Sequence, residues 1–351
     1  MSHTTVQPAQ TPSIEGQQDY PVDFIHIGLA KCASTYLQQL WFDDTTYHLL
    51  DSSPIVRALR TVAERSAGQT IQFKAPPRVL RKHNVLSSEG LTWGWLNHPE
   101  KQAAIKPLQE LAARVLGEGR LSGRVLIIVR DPVALLRAVH EQTIKEGGHA
   151  SYAEFLGVQR KLCEAILDLR FMIDTFQKYW DSIVVLSADE LRNAPEDFWA
   201  KYAARLSMPE PSKETLAQLN GPGASLNKSL GNRTPLLAQL NRFATAATDC
   251  YESLSEYKAL CGPEYERMKP FVDVYMKGLN RRLVEFASDE ALQPVTALLA
   301  PNDVAAEEVF VDQALHDWIE TQYLQPLEGL STIPEELLSQ YRRSLAAALK
   351  P

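Results

Sequence analysis

The chain has 351 residues, 45% of them hydrophobic, which is enough for a large α/β domain with a sizeable core. Its formal net charge of −7 excludes a general nucleic-acid binder, which needs a basic face, but not a small-anion site served by a few local cations. The 4 cysteines show no CxxC spacing, which argues against a cysteine-ligated metal or a stapled scaffold and for free thiols in a reducing compartment.

Residues 1–20 are polar, with no apolar h-region, and read as a disordered tail rather than a signal peptide. No apolar run reaches about eighteen residues, so no transmembrane helix is expected and a cytoplasmic location is the simplest reading. The stretch Phe24–Gly28 reads as a short apolar strand. A turn carrying Lys31 follows, and Ser34-Thr35 opens a helix. Such a layout builds an anion site: backbone N–H groups at the helix start point outward, the helix dipole favours negative charge, and the lysine and hydroxyls add donors.

Thr70–Lys74 is predicted as a second strand, closed by Pro76-Pro77, and Leu86–Leu91 as the end of a third, with Trp93 and Trp95 beside it. Helix is expected over 101–118, and a buried strand over Arg124–Val129, ending in Arg130-Asp131-Pro132. Pro132 can stop the strand and start a helix, which runs to about 146 before Gly147-Gly148. Helices over 151–180 and a strand over 182–187 come next. This alternation predicts a parallel sheet with helices on both faces. After 234 only helical periodicity is visible. Phe271, Val272, Tyr275, Met276 and Leu279 recur at helical spacing and are expected in the core.

The loop is not a Walker A motif, because its lysine stands three residues before Ser34 and Ala33 stands where a glycine is expected. The order K-x-x-S-T-x-L-Q over Lys31–Gln38 instead resembles the 5′-phosphosulfate loop of sulfotransferases that use 3′-phosphoadenosine-5′-phosphosulfate (PAPS). Strand, then R-D-P, then helix resembles that family's 3′-phosphate motif, in which the arginine pairs with phosphate bidentately. Looser similarity over Ile183–Glu196, Ser225–Ser229 and Leu240–Arg242 extends the resemblance across about 23–242, closest to bacterial, carbohydrate-type members. It implies a P-loop-NTPase-like three-layer sandwich over 21–290, with a helical extension over 291–351 packed on the same domain.

The resemblance implies a donor site of Gly28, Lys31, Cys32, Ala33, Ser34, Thr35 and Arg130. Lys228 and Arg233 are added as loop cations, although both also read as solvated charges. The family places a serine eight residues after the arginine, where this chain has Ala138. PAPS would be the donor substrate and PAP (3′-phosphoadenosine-5′-phosphate) the product, with no metal. The acceptor would be a hydroxyl on a carbohydrate or glycan-bearing small molecule, with no nucleic-acid partner. Lys31 would meet charge on the leaving oxygen. Glu89, in Ser87-Ser88-Glu89-Gly90, is the first choice for general base, His83 the second, and His48 or Asp51 the third. The basic cluster Arg78, Arg81, Lys82 and His83 could serve an anionic acceptor or be a solvated face. An ATP-dependent small-molecule kinase and a non-catalytic nucleotide- or glycan-binding relative are the alternatives.

Overall fold

The computed structural model describes residues 20–65, 77–94, 98–221, 230–253, 264–298 and 310–349. Its sheet has five parallel strands: β1 (Phe24–Gly28), β2 (Tyr47–Leu50), β3 (His83–Ser88), β4 (Arg124–Val129) and β5 (Ser182–Ser187), in the order β2-β3-β1-β4-β5. β2, only four residues long, was not anticipated. The expected strand over 70–74, the tail over 1–19, and Trp95 lie outside the described residues.

Register decides which residues meet. Ile27 pairs with Ser88, Gly28 with Ile128, and Val129 with Ser187. The segments that begin at Leu29, Glu89, Arg130 and Ala188 therefore all leave the sheet at one edge. The carboxyl-end crevice of a parallel sheet is where such folds place ligands.

β1 and β4 are both buried; β4 is a near-continuous run of Ile, Val and Leu, whereas β1 carries His26 between Ile25 and Ile27. Each fully buried Ile, Leu or Val contributes about 2 kcal/mol of hydrophobic stabilisation. Helix α1 (Ser34–Asp43) buries Leu37, Leu40 and Trp41 at helical spacing. The Trp41 ring meets Phe24 of β1 edge-on at 5.5 Å, and its Nε1–H donates to the Tyr202 hydroxyl at 3.3 Å. This aromatic contact fixes where α1 starts relative to the end of β1.

The described contacts divide the chain into two compact units, Met1–Leu135 with Lys161–Asn227 and Val311–Pro351, and Leu136–Arg160 with Lys228–Phe310. The first unit holds the sheet, α1, α2 (Ser53–Arg65), and α3 (Ile105–Glu118), which follows a 3-10 turn over Pro99–Ala104. It also holds α6 (Arg160–Leu167, from Lys161), α7 (Leu169–Gln177), α8 (Ala188–Asn193), α9 (Pro195–Leu206) and α10 (Lys213–Leu219). Its last elements are α14 (Gln313–Ile319), a π-helical turn Glu320–Leu324, and α15 (Glu335–Ala348).

Helix α4 (Pro132–Lys145) begins in the first unit and continues into the second, where Gly147, at φ 96°, ends it. The second unit also contains α5 (Tyr152–Val158), α11 (Thr234–Ser253), α12 (Glu264–Phe286) and α13 (Asp289–Leu298). They pack around Ile144, Leu230, Leu236, Leu237, Val284 and Leu292. Here one expectation is corrected. Tyr275, Met276 and Leu279 are exposed, because α12 turns Val284 and not these residues into that core. Phe271 and Val272 have side chains outside the described set. Among the described residues, no helix is long and apolar enough to cross a membrane.

Candidate functional site

The loop between β1 and α1 holds two non-glycine residues in the left-handed region, Lys31 at φ 58° and Ala33 at φ 61°. Ala33 thus adopts the conformation that a glycine would take without cost at the place where the loop resemblance expects one. Ala33 is also the N-cap of α1 and supplies no side-chain cap, and a helix start favours an anion. Ser34 Oγ is buried and has no hydrogen-bond partner among the described residues.

Glu89 begins the 3-10 turn Glu89–Leu91 at the end of β3, and the turn is held from several sides. The Ser88 hydroxyl accepts from Gly90 N–H at 3.0 Å, and the Thr92 hydroxyl donates to the carbonyl of Gly28 at 2.6 Å. Arg60 Nη2 donates to the Trp93 carbonyl at 2.7 Å. Burial pushes the Glu89 carboxyl above its ordinary value, while the nearby Lys31 ammonium pulls it part of the way back. Ser34 and Trp93 also favour the charge. The Ser34 hydroxyl lies beside this carboxyl without meeting hydrogen-bond geometry, so its contribution is that of a nearby dipole.

Arg130 arrives from the end of β4. Its Nη1 donates to the Lys31 carbonyl at 3.2 Å, and its Nε is buried without a partner. Asp131 caps α4 by accepting from Ala134 N–H at 2.8 Å. Two orphaned donors of different kinds, Ser34 Oγ–H and Arg130 Nε–H, and an uncapped helix start therefore converge on one loop. That donor set fits a ligand with several anionic oxygens.

On the other side of Glu89 lies an open cavity of about 440 Å³ between the ends of β2 and β3. Thr35, Gln38, Asp51, Ser87, Ser88 and Glu89 give it a polar lining that, among the described residues, contains no cation. Gln38 Nε2 donates to Ser87 Oγ at 3.1 Å, and the buried His26 holds the same hydroxyl through Nδ1 at 2.8 Å. Burial lowers the His26 pKa to about 3, so the ring is neutral. His26 was not singled out from the sequence, whereas Gln38 belongs to the K-x-x-S-T-x-L-Q pattern and Ser87 to the segment that carries Glu89. Alternation along β1 and β3 could have suggested the pair, because His26 and Ser87 are register partners.

The structure brings together Gly28, Lys31, Cys32, Ala33, Ser34, Thr35, Glu89 and Arg130. Cys32 is buried, and burial raises its thiol pKa well above the usual range, so it is not a reactive thiolate. His83 is a correction. It starts β3, pairs with Tyr47, and stands about 16 Å of parallel strand away from Ser88, at the opposite edge of the sheet. The basic cluster shares that edge, and Arg78 there pairs with Asp23 at 3.2 Å, so this cluster does not face Glu89. His48 lies beside Asn84 along the strand pair, whereas Asp51 lines the cavity.

Ala138 lies on the part of α4 that belongs to the second unit. Arg233 is there too, with its guanidinium taken up by the carbonyls of Val284 and Ala287, at 2.8 and 3.0 Å, and by Asp289. It caps the end of α12, and we do not carry it into the donor set. Lys228 lies outside the described residues. Comparison with family models, curated proteins and solved structures found no match to this chain.

Proposed function

We propose that this protein is a PAPS-dependent sulfotransferase that moves a sulfuryl group to a hydroxyl of a carbohydrate or glycan-bearing acceptor. The observation that carries the reading is the placement of Glu89 between two unlike spaces. One is the cationic loop of Lys31, Ser34 and Arg130, and the other is the cation-free polar cavity. A P-loop-like three-layer sandwich suits the strand order, with the loop strand β1 at its centre.

The donor's contribution is a sulfuryl group on a good leaving phosphate. The rest is positioning and electrostatics. The start of α1, with Ser34 and Thr35, would hold the 5′-side oxygens, and Arg130 would hold the 3′-phosphate. An acceptor hydroxyl in the cavity would be oriented by Ser87 and Ser88. Its oxygen bonds to sulfur while the bond from sulfur to the bridging phosphate oxygen breaks. Glu89 takes the hydroxyl proton, and Lys31 stabilises the charge that develops on the bridging oxygen. The products are a sulfate ester and PAP. A carboxylate whose affinity for a proton is raised by burial is a better base than an exposed one.

The test is transfer of labelled sulfate from PAPS to a panel of methyl glycosides without added metal. The expected result is a labelled ester with the parent chain and none with Lys31→Ala. Phosphate transfer from ATP with magnesium in place of sulfate transfer would favour a kinase instead.

A further inference from the structure

The sequence assigns no role to the segment after 310, but the structure ties it to the arginine turn. Tyr323, fully buried, sits in the π-helical turn Glu320–Leu324. Its hydroxyl accepts from the backbone N–H of Arg130 at 3.0 Å and donates to the carbonyl of the same residue at 2.6 Å. One hydroxyl thus satisfies both backbone groups of Arg130. A second tyrosine fixes the next residue. The Tyr341 hydroxyl donates to Asp189 Oδ2 at 2.6 Å, and that same oxygen accepts from Asp131 N–H at 2.7 Å. Because its only proton goes to Asp189, the Tyr341 oxygen accepts from Ser187, 2.8 Å away.

The segment carrying both tyrosines is closed on itself. Val311 N–H donates to Ala348 O at 2.8 Å, which joins its two ends. Arg342 bridges Glu320 and Glu328, while Arg170 Nη2 donates to the Thr321 carbonyl at 3.2 Å. π-helical turns are rare and often mark functional places, because the extra residue re-aims a side chain. Here it aims a hydroxyl at the backbone of Arg130.

We infer that Tyr323, seconded by Tyr341, is a positioning residue that sets the direction of the Arg130 guanidinium, making the segment 311–349 part of the anion site. This rests on the donor reading given above. Burial keeps the Tyr323 hydroxyl protonated, as its double role requires. Tyr323→Phe keeps the ring and removes both bonds, which takes this partner from the two part-buried backbone groups of Arg130.

The experiment is a double-mutant cycle on PAP affinity, measured by calorimetry on the full chain well below each variant's melting temperature. Tyr323→Phe is expected to raise the PAP Kd about tenfold when Arg130 is present, and to change it less than about twofold in the Arg130→Ala background. A purely structural role would give no change at that temperature, or equal changes in both backgrounds, and either result overturns the clamp alone. If Tyr323→Phe does not fold, Tyr341→Phe is read in the same cycle against the same two outcomes. Absence of PAP binding by the parent overturns the donor reading, and this inference with it.

Discussion

Gly28 and Glu89 are in such close approach that a Cβ on Gly28 would stand 2.8 Å from Glu89 Cγ and 2.5 Å from Ser34 Oγ. The end of β1 carries glycine because the loop and the turn that holds Glu89 both close on it. Gly28→Ala should force Glu89 and Ser34 apart, at a stability cost of about 2 kcal/mol. Sulfate transfer should be lost while the chain still folds. Thermal melts and the labelled-transfer assay report the two effects separately.

Glu89 gives a prediction with a definite sign. Its folded pKa is raised, mainly by burial, so the fold favours the protonated form. The associated stability is fully present below the unfolded value of about 4.3 and is lost as pH rises through the folded value. Glu89→Gln should therefore melt at a higher temperature than the parent at neutral pH, and the difference should vanish below about pH 4. The same variant should lose transfer, and the parent's acid limb should lie above the ordinary carboxylate pKa. Equal melting temperatures at pH 7 would contradict this assignment of strain to the site.

Ala33 pays a conformational penalty at φ 61° that glycine avoids. Ala33→Gly should raise stability by about 0.5 kcal/mol, net of the flexibility that glycine adds to the unfolded chain. A β-branched residue there should do the opposite. Denaturant midpoints for Ala33→Gly and Ala33→Val check both directions.

Two arginines at a distance in the sequence should behave differently. Arg233→Ala removes the cap on α12 and the bonds to Val284, Ala287 and Asp289, so it should lower the melting temperature. It should leave PAP affinity within about twofold of the parent. Arg130→Ala should lower that affinity by about a hundredfold, a loss typical of a charge-assisted phosphate contact. Calorimetry on the two variants side by side distinguishes the cap from the ligand.

Ser87 lines the cavity. With its hydroxyl held by Gln38 and His26, it is aligned before an acceptor arrives. Ser87→Ala should raise the KM for a glycoside acceptor about tenfold and leave the Kd for PAP unchanged. A matching loss in both constants would place Ser87 on the donor side instead.

Local chemistry made much of this legible in the sequence. The runs Phe24–Gly28, Arg124–Val129 and Ser182–Ser187 are legible as strands because buried parallel strands are mostly apolar, and His26 is the one polar interruption inside them. Lys31, Ser34 and Arg130 stood out because each follows such a run, and register then aligned the strand ends. β2 was missed because four residues carry too little periodicity. His83 was misplaced because closeness in sequence to Glu89 says nothing about strand direction. Tyr323 was invisible because its bond to Arg130 spans 193 residues and leaves no local signature. Ala33 reads as a departure from the loop pattern, yet the backbone keeps the left-handed turn, because neighbouring contacts outweigh a penalty of about 1 kcal/mol.

The central claim is a PAP site built from Lys31, Ser34 and Arg130, and calorimetry of PAP binding without added metal tests it most directly. The expected result is saturable binding by the parent chain, weakened about a hundredfold or more in both Lys31→Ala and Arg130→Ala. No binding by the parent, or binding that both variants retain, would contradict it.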